Sequence, residues 1–555
     1  MRIDRRRLLG LIGTGSVWPA GARAQGRVAF DHGVASGDPH PDSLLIWTRV
    51  TTGGTPAVPI AWRLWAEDGL EPERSGAAEA SGDRDFTVKV IVDRLSPGRT
   101  YRYAFEAGPA RSPEGTARTL PIGPTPEAVL AVVSCQKFEA GYFNAHRAIA
   151  RLKRLDVVIH LGDYIYEYRA ETPSGDESVA ASPVVQRTPD PPHSLVTLAD
   201  YRRRHAQYKT DPDLQAAHAR AAFICVWDDH EIANDAWTDG AENHDPETEG
   251  GFAARRAAAL RAYLEWMPIR EPAGRLDAAA INRTFDFGDL ARLAMLETRL
   301  TARDRALNYQ RDLDDPTAEA VAGLEARRLD PERALMGPAQ IGWLADAMGV
   351  SRAQGQAWQL IGSQVLMARV KGPDITRLAS PARVEGLLAG LPPARRALAE
   401  EAIALFQLDV PFNLDAWDGY PAERERVYAA LKAVGVSPVV LSGDSHAFWA
   451  SDLIDAAGEM RGVELGTTSI TSPSTGDALG GAPLGSVIVR TSDDVRFCNQ
   501  NHKGFLLLIV RPEAIEARME AVATVAAPDD GVRTLARWRI SREPDGGLSH
   551  GRVRF

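Results

Sequence analysis

Cysteine is nearly absent from this chain. Its three residues, Cys135, Cys225 and Cys498, lie too far apart for a disulfide framework or a paired-cysteine zinc site. Long hydrophobic runs are missing too. After the N-terminus nothing reaches the ~18 consecutive apolar residues of a membrane-spanning helix, so no integral membrane segment is expected. No dense tract of Lys and Arg occurs, and 74 acidic residues against 64 basic ones leave a formal net charge of −10. Nucleic-acid affinity rests on a basic surface, which argues against such a partner. The chain has no internal repeat, no P-loop, no G-x-G-x-x-G fingerprint in a strand–turn–helix setting and no G-x-S-x-G nucleophile elbow. Its serines therefore read as turn residues. The 555 residues, 44% of them hydrophobic, are enough for two or three domains with a large core.

What is present starts with Asp4-Arg5-Arg6-Arg7-Leu8-Leu9, a modestly apolar Gly-rich stretch, and Ala22-Arg23-Ala24. Charged region, apolar region and small-x-small cleavage site in that order make a secretory signal, and the paired arginines have the form of a twin-arginine leader. Residues 1–24 are expected to be that signal, with the twin-arginine export machinery as partner and a periplasmic or extracellular destination. In an oxidising compartment a lone thiol is a liability unless it is occupied. Cys225, inside an apolar run, reads as core, and Cys498 has no assigned role. Cys135 stands at the end of a strand-like run, where coordination would protect it.

Residues 25–125 alternate in short β-type runs, Ser43–Arg49, Val58–Leu64, Thr87–Val92 and Thr100–Phe105, separated by Gly/Pro turns. That spacing predicts an all-β sandwich, and Gly123-Pro-Thr-Pro126 reads as its boundary. From residue 126 to 555, strands alternate with helical stretches such as Ala145–Arg154 and Phe252–Trp266, as in an α/β layer fold. Ser174 to Pro192 reads as a loop insertion and Asp374 to Pro393 as a mobile or lid-forming segment.

Four apolar runs end abruptly on metal-binding residues. Ala128–Ser134 leads into Cys135, Asp156–Gly162 into Asp163, Ala221–Trp227 into Asp228-Asp229-His230, and Pro438–Gly443 into Asp444 and His446. Short Val/Ile-rich runs bounded by turn residues are typical of buried strands. Ligands in open α/β sheets bind beyond the carboxyl ends of such strands, so these four ends could assemble a polynuclear metal site. Asp163 has two oxygens with which to bridge cations, and a tyrosine phenolate is a hard donor suited to a ferric ion. Tyr164 and Tyr168 read as members of an aromatic stripe, Tyr166 as the coordinating phenol. Within Trp227-Asp-Asp-His-Glu231 one aspartate could cap a helix, yet a cap does not need four ionisable neighbours. Asp229 is read as a ligand, Asn234 as a further candidate, Asp228 as a supporting residue, and His230 as an acid/base or phosphate-polarising group.

On these residues the chain resembles the PhoD-like alkaline phosphatases, a branch of the metallophosphoesterases. The likeness includes the leader, Asp31-His-Gly-Val-Ala-Ser-Gly-Asp-Pro39, Trp47-Thr-Arg49, Ser134-Cys135 and Gly162-Asp-Tyr-Ile-Tyr-Glu167. It continues through Trp227–Glu231, Gly337-Pro-Ala-Gln340 with Trp343-Leu344, and Gly443-Asp-Ser-His446. The resemblance implies a four-layer αββα phosphoesterase domain behind a β-sandwich, holding Fe(3+) and Ca(2+). It implies Cys135, Asp163, Tyr166 and His446 on iron, with Asp163 bridging to a calcium side that carries Asp229 and Asp444. Oxygen donors there suit calcium. Two places depart from the family pattern: Glu297 in Leu296-Glu-Thr-Arg299 and the Asn501-His-Lys-Gly-Phe505 segment. The expected activity is hydrolysis of small phosphate monoesters. The rivals are a phosphodiesterase or phospholipase D-type activity, a dinuclear-zinc hydrolase, and a non-catalytic secreted binding protein on the same scaffold. A zinc site would favour more nitrogen than this set holds. Oligomeric state is not legible in the sequence.

Overall fold

The computed structural model describes residues 28–170, 187–271, 281–313, 317–478, 481, 483–544 and 546–554. The leader read at 1–24, and most of the insertion read at 174–192, lie outside the described residues.

Two sheets stack between helices. In the seven-stranded sheet the central strands Ala291–Met295, Trp358–Ser363, Val439–Ser442 and Met460–Gly466 run parallel. Their side chains alternate at the strand period. Leu293, Leu360, Val439 and Leu441 face the other sheet and join the largest core. Ala294, Ile361 and Val440 face the helices Gly337–Ala353 and Pro421–Ala433. The carboxylate of Glu423 pins these two helices together, accepting backbone N–H bonds from Leu335, from Met336 at 2.9 Å and from Gly337 at 3.0 Å. That satisfies donors which a helix start leaves orphaned.

The ten-stranded sheet carries three of the four metal-type strand ends. Val157–His160 lies at its centre, parallel to Ala128–Val133 on one side and to Ala222–Cys225 on the other. Its outer face is covered by Asn144–Ala150, Leu198–Tyr208, Pro212–Arg220 and Phe252–Trp266. Thr197 and Asp200 form a capping box at the start of Leu198–Tyr208, and Asp211 followed by Pro212 starts the next helix. A parallel bridge between Ser134 and Ser469 joins the two sheets at the edge where the candidate ligands lie. The architecture is the expected αββα layering with a β-sandwich in front.

The sandwich is not set apart from the stacked α/β layers. Ala57–Ala66, Arg74–Ser81 and Thr100–Ala107 build one of its sheets, and Val34–Gly37, Leu44–Arg49 and Thr87–Val92 the other. That second sheet is the far end of the ten-stranded sheet, because Gly37 pairs in parallel with Phe223. Asp38 fixes the seam: its carboxylate accepts from Arg283 at 2.8 Å and from the Arg270 N–H at 2.6 Å. The joint at Gly123–Pro126 is itself tacked down, since the Thr125 N–H donates to Asp289 at 2.9 Å. Asp374 to Pro393, read as a mobile or lid-forming segment, contains a 3-10 turn, the helix Pro381–Ala389 and the first residue of the helix Pro393–Phe406. Prolines open both helices, where a missing N–H costs nothing.

Candidate metal centre

Three of the strand ends turn in the same strained way. Cys135 (φ 59°), Asp163 (φ 58°), Asp444 (φ 59°) and His446 (φ 54°) all adopt the left-handed backbone region. That region costs non-glycine residues of order 1–3 kcal/mol each and persists where the surroundings over-determine it, most often at functional sites. Close approach is enforced at Gly162 (φ +108°), where a Cβ would lie 2.4 Å from Asp228 Cβ and 2.6 Å from its backbone nitrogen. Two ligand-bearing loops therefore touch across a hydrogen atom.

The sharp turns bring the sequence candidates together. Donor atoms of Cys135, Asp163 and His446 lie within 4.8 Å of one another, as do those of Asp163, Asp228, Asp229 and Asp444. Asp163, Asp229 and His230 form a third such group. Asp163 belongs to all three, the position a bridging carboxylate must hold. The Tyr166 hydroxyl joins the first group, donating to Asp163 Oδ2 at 2.9 Å, accepting from Ser472 at 2.6 Å and lying 3.4 Å from His446 Nε2. Tyr164 points away, its hydroxyl 2.8 Å from His218 Nε2. The carbonyl of Pro473 lies 2.6 Å from His446 Nδ1 and can only accept. The proton therefore sits on Nδ1, leaving the Nε2 lone pair for coordination.

Asn234, read as a ligand candidate, is engaged elsewhere. Its Oδ1 accepts from Tyr168 at 2.8 Å and its Nδ2 donates to Glu242 at 2.7 Å. His230 stands beside the cluster, its Nδ1 2.8 Å from Glu167 and its ring tilted against that of Tyr166, with centroids 4.1 Å apart.

The electrostatics are those of crowded, buried acids with Arg299 and His230 as the positive charges beside them. Burial pushes Asp163 well above the usual carboxylate range; the charge of His230 opposes this, while Asp229, Asp228 and Glu231 add to it. Burial, with Asp228 beside it, does the same to Asp444. The Cys135 thiol and the Tyr166 phenol are likewise driven up by burial and by Asp163. Burial also opposes ionisation of Asp229, but Arg299 and His230 outweigh it and hold that carboxyl low. His230 is desolvated yet faces Asp229, Asp163 and Glu167, which keep it protonated. Asp163 Oδ1, Asp228 Oδ2 and Asp229 Oδ1 are buried with no hydrogen-bond partner among the described residues. Buried polar atoms are rarely left so. Three orphaned carboxylate oxygens converging beside a thiol and an imidazole are the donor set of a bound cation, so the residues present fit a metal site.

Sequence reasoning missed the residues that hold this set in place. Glu231 accepts the N–H groups of Asp163 at 3.1 Å, of Tyr164, and of Asp228 at 2.7 Å, lashing two ligand loops to one carboxylate. Glu297, the departure from the family pattern, accepts from the N–H groups of Arg299 at 3.0 Å, Leu300 at 2.8 Å and Thr301 at 2.8 Å. It also accepts from the Trp227 indole at 3.0 Å. Both glutamates sit in motifs already singled out in the sequence, and a buried acid must find partners.

A stacked two-sheet α/β fold with such a donor set at its strand ends defines a hydrolase of phosphate esters, and the comparisons with known proteins carry that class to a family. Residues 130–519 match the PhoD-like phosphatase family and residues 16–121 match the PhoD-like phosphatase N-terminal domain, so the chain belongs to the PhoD-like phosphatases. It is 33% identical over 539 residues to alkaline phosphatase D of Bacillus subtilis (strain 168), covering 93% of this chain and 82% of that one. It also superposes on the solved structure of PhoD with a TM-score of 0.74 and 30% identity, over 97% of this chain and 94% of that one.

Proposed function

We propose that the protein is an exported alkaline phosphatase that hydrolyses phosphate monoesters at a site holding a ferric ion and calcium. The observation that carries the reading is the membership of Asp163 in two unlike donor groups of the three, one mixed in sulfur, nitrogen and oxygen, another purely of carboxylates. Soft and phenolic donors suit a transition metal, and oxygen alone suits calcium. Cys135, Asp163, Tyr166 and His446 would hold the iron, with Asp163, Asp229 and Asp444 on the calcium. Bound cations supply Lewis acidity, lowering the pKa of water from 15.7 to about 7 and neutralising phosphate oxygens.

The chain's own groups do the rest. The carboxylates alone would repel a phosphate, so they fix where a phosphoryl group can sit only by fixing the cations. Glu167 takes Nδ1 of His230, which leaves the Nε2 proton of a charged imidazole to meet the leaving oxygen. Glu231 and Glu297 keep the loops rigid, so that no reorganisation is required during the reaction.

Metal analysis of the purified protein, with matched monoester and diester assays, tests the proposal. Iron and calcium with monoester turnover are expected. Brief chelation should abolish hydrolysis while retaining iron, and calcium should restore it. Recovery with zinc alone would overturn the calcium assignment, and preferential diester turnover would overturn the monoester assignment. Replacing the Arg5–Arg7 run by lysines should hold the protein in the cytoplasm.

A further inference from the structure

Arg299 brings a fixed positive charge into the carboxylate half of the site. Its guanidinium is fully buried. Nε donates to Asp228 Oδ1, and Nη1 donates to Asp415 Oδ2 at 2.7 Å. Nη2 has no hydrogen-bond partner among the described residues, although it lies 3.6 Å from Asp229 Oδ1 and 3.8 Å from Asp444 Oδ1. Asp415 is shared with Arg303, which also donates to it. Asp228 is therefore the carboxylate that Arg299 chiefly occupies.

That occupation bears on metal choice. Asp228 lies close enough to Asp163, Asp229 and Asp444 for all four to surround one cation. Sites made of hard oxygens are tuned by the number of charged ligands they offer. A guanidinium cannot lose its proton in a protein, so the positive charge beside Asp229 and Asp444 is permanent. Any cation entering between those carboxylates meets a site whose negative charge is already reduced, and meets Asp228 with one oxygen taken. We propose that Arg299 sets the net charge of this half, taking one oxygen of Asp228 and matching the site to a divalent rather than a trivalent cation. The inference rests on the two-cation reading above and goes beyond it by assigning the origin of the charge selectivity.

Removing the charge should raise the appetite of the site for a more highly charged ion. An extra unit charge about 4 Å away acts more strongly on a trivalent than on a divalent ion. The experiment titrates the purified full-length, iron-bearing protein with calcium and with terbium, reading terbium by its luminescence and calcium by displacement. In Arg299→Met the ratio of terbium to calcium affinity should rise at least about tenfold over wild type. In Arg299→Lys, which keeps a positive charge, it should stay within about threefold. Adding Asp228→Asn to Arg299→Met should return the ratio toward wild type, because it restores the net charge of this half. Arg299→Gln removes the charge while keeping a donor for Asp228, and supplies the neutral variant where Arg299→Met does not fold. An unchanged ratio in the neutral variants, or a gain that survives Asp228→Asn, overturns the proposal. A wild-type protein that binds neither ion overturns the calcium reading beneath it and this inference with it, and that result is distinct from an unchanged ratio.

Discussion

Lys209 is a buried cation with almost nothing to balance it. Its ammonium lies 3.1 Å from His218 Nε2, with the rings of Trp47 and Tyr164 at 4.6 and 5.2 Å, and no carboxylate pairs with it among the described residues. Burial dominates and lowers its pKa from 10.5 to about 7; the Cys225 thiol works weakly the other way and Lys89 adds to the lowering. The sign follows from proton counting. Between these two values the unfolded chain carries a proton that the folded chain has released. Stability must therefore rise with pH across that window, by at most about 1.4 kcal/mol per pH unit and about 4–5 kcal/mol in all. Below the window both states are protonated, and the full cost of burying the charge is present. Lys209→Met removes both the cost and the slope. Urea midpoints followed by tryptophan fluorescence at constant calcium, from about pH 6 to about pH 10, read the difference. Wild type minus variant should be most negative near pH 6 and climb by about 1 kcal/mol per unit from about pH 8 to about pH 10. Parallel profiles would show that Lys209 is solvated or paired in solution, and would refute the reasoning.

Cys135→Ala should lower iron content and reduce hydrolysis by at least about tenfold while far-UV dichroism stays unchanged; full iron in the variant would return Cys135 to the core. Tyr166→Phe should remove the visible phenolate-to-iron absorption together with activity, whereas Tyr164→Phe, altered at the His218 end, should keep the colour. Gly162→Ala places a methyl 2.6 Å from the Asp228 backbone nitrogen on a left-handed backbone and should cost about 3 kcal/mol or more in thermal unfolding; a change under about 0.5 kcal/mol would show that the two loops can part.

The candidate residues that the structure brings together were legible because strand ends announce themselves. An apolar run that stops on Asp or Cys is an unusual local pattern, and all four runs stop at the same edge of the stacked sheets. What supports them was harder to read. Glu231 and Glu297 act by accepting N–H groups that become available only once the loops have their final, partly left-handed shapes, and no spacing rule encodes that. Arg299 meets Asp228 and Asp415 from distant stretches of chain, so its charge could not be balanced on paper. Alternation in Leu44–Arg49 and Thr87–Val92 revealed strands and their buried faces, but alternation specifies a face and never a neighbour. Hence a front sandwich was legible while its fusion with the catalytic sheet was not. The helices of Asp374–Pro393 were open to sequence reasoning, since Pro381 and Pro393 each stand where proline favours a helix start.

The parallel pairing of Gly37 with Phe223 also sets a timetable for synthesis. The front strands leave the ribosome early, yet Val34–Gly37 cannot complete its ladder until Ala222–Cys225 has been made. Until then the nascent chain shows an open strand edge, the element most prone to pair with the wrong partner. The segment it waits for runs directly into Asp228, Asp229 and His230, so the strand that closes this edge also carries one side of the candidate site. A chain cut back to its catalytic portion would lose that coupling and leave Ala222–Cys225 as a bare edge beside the site. In this protein the front sandwich and a strand that carries part of the candidate site share one backbone ladder.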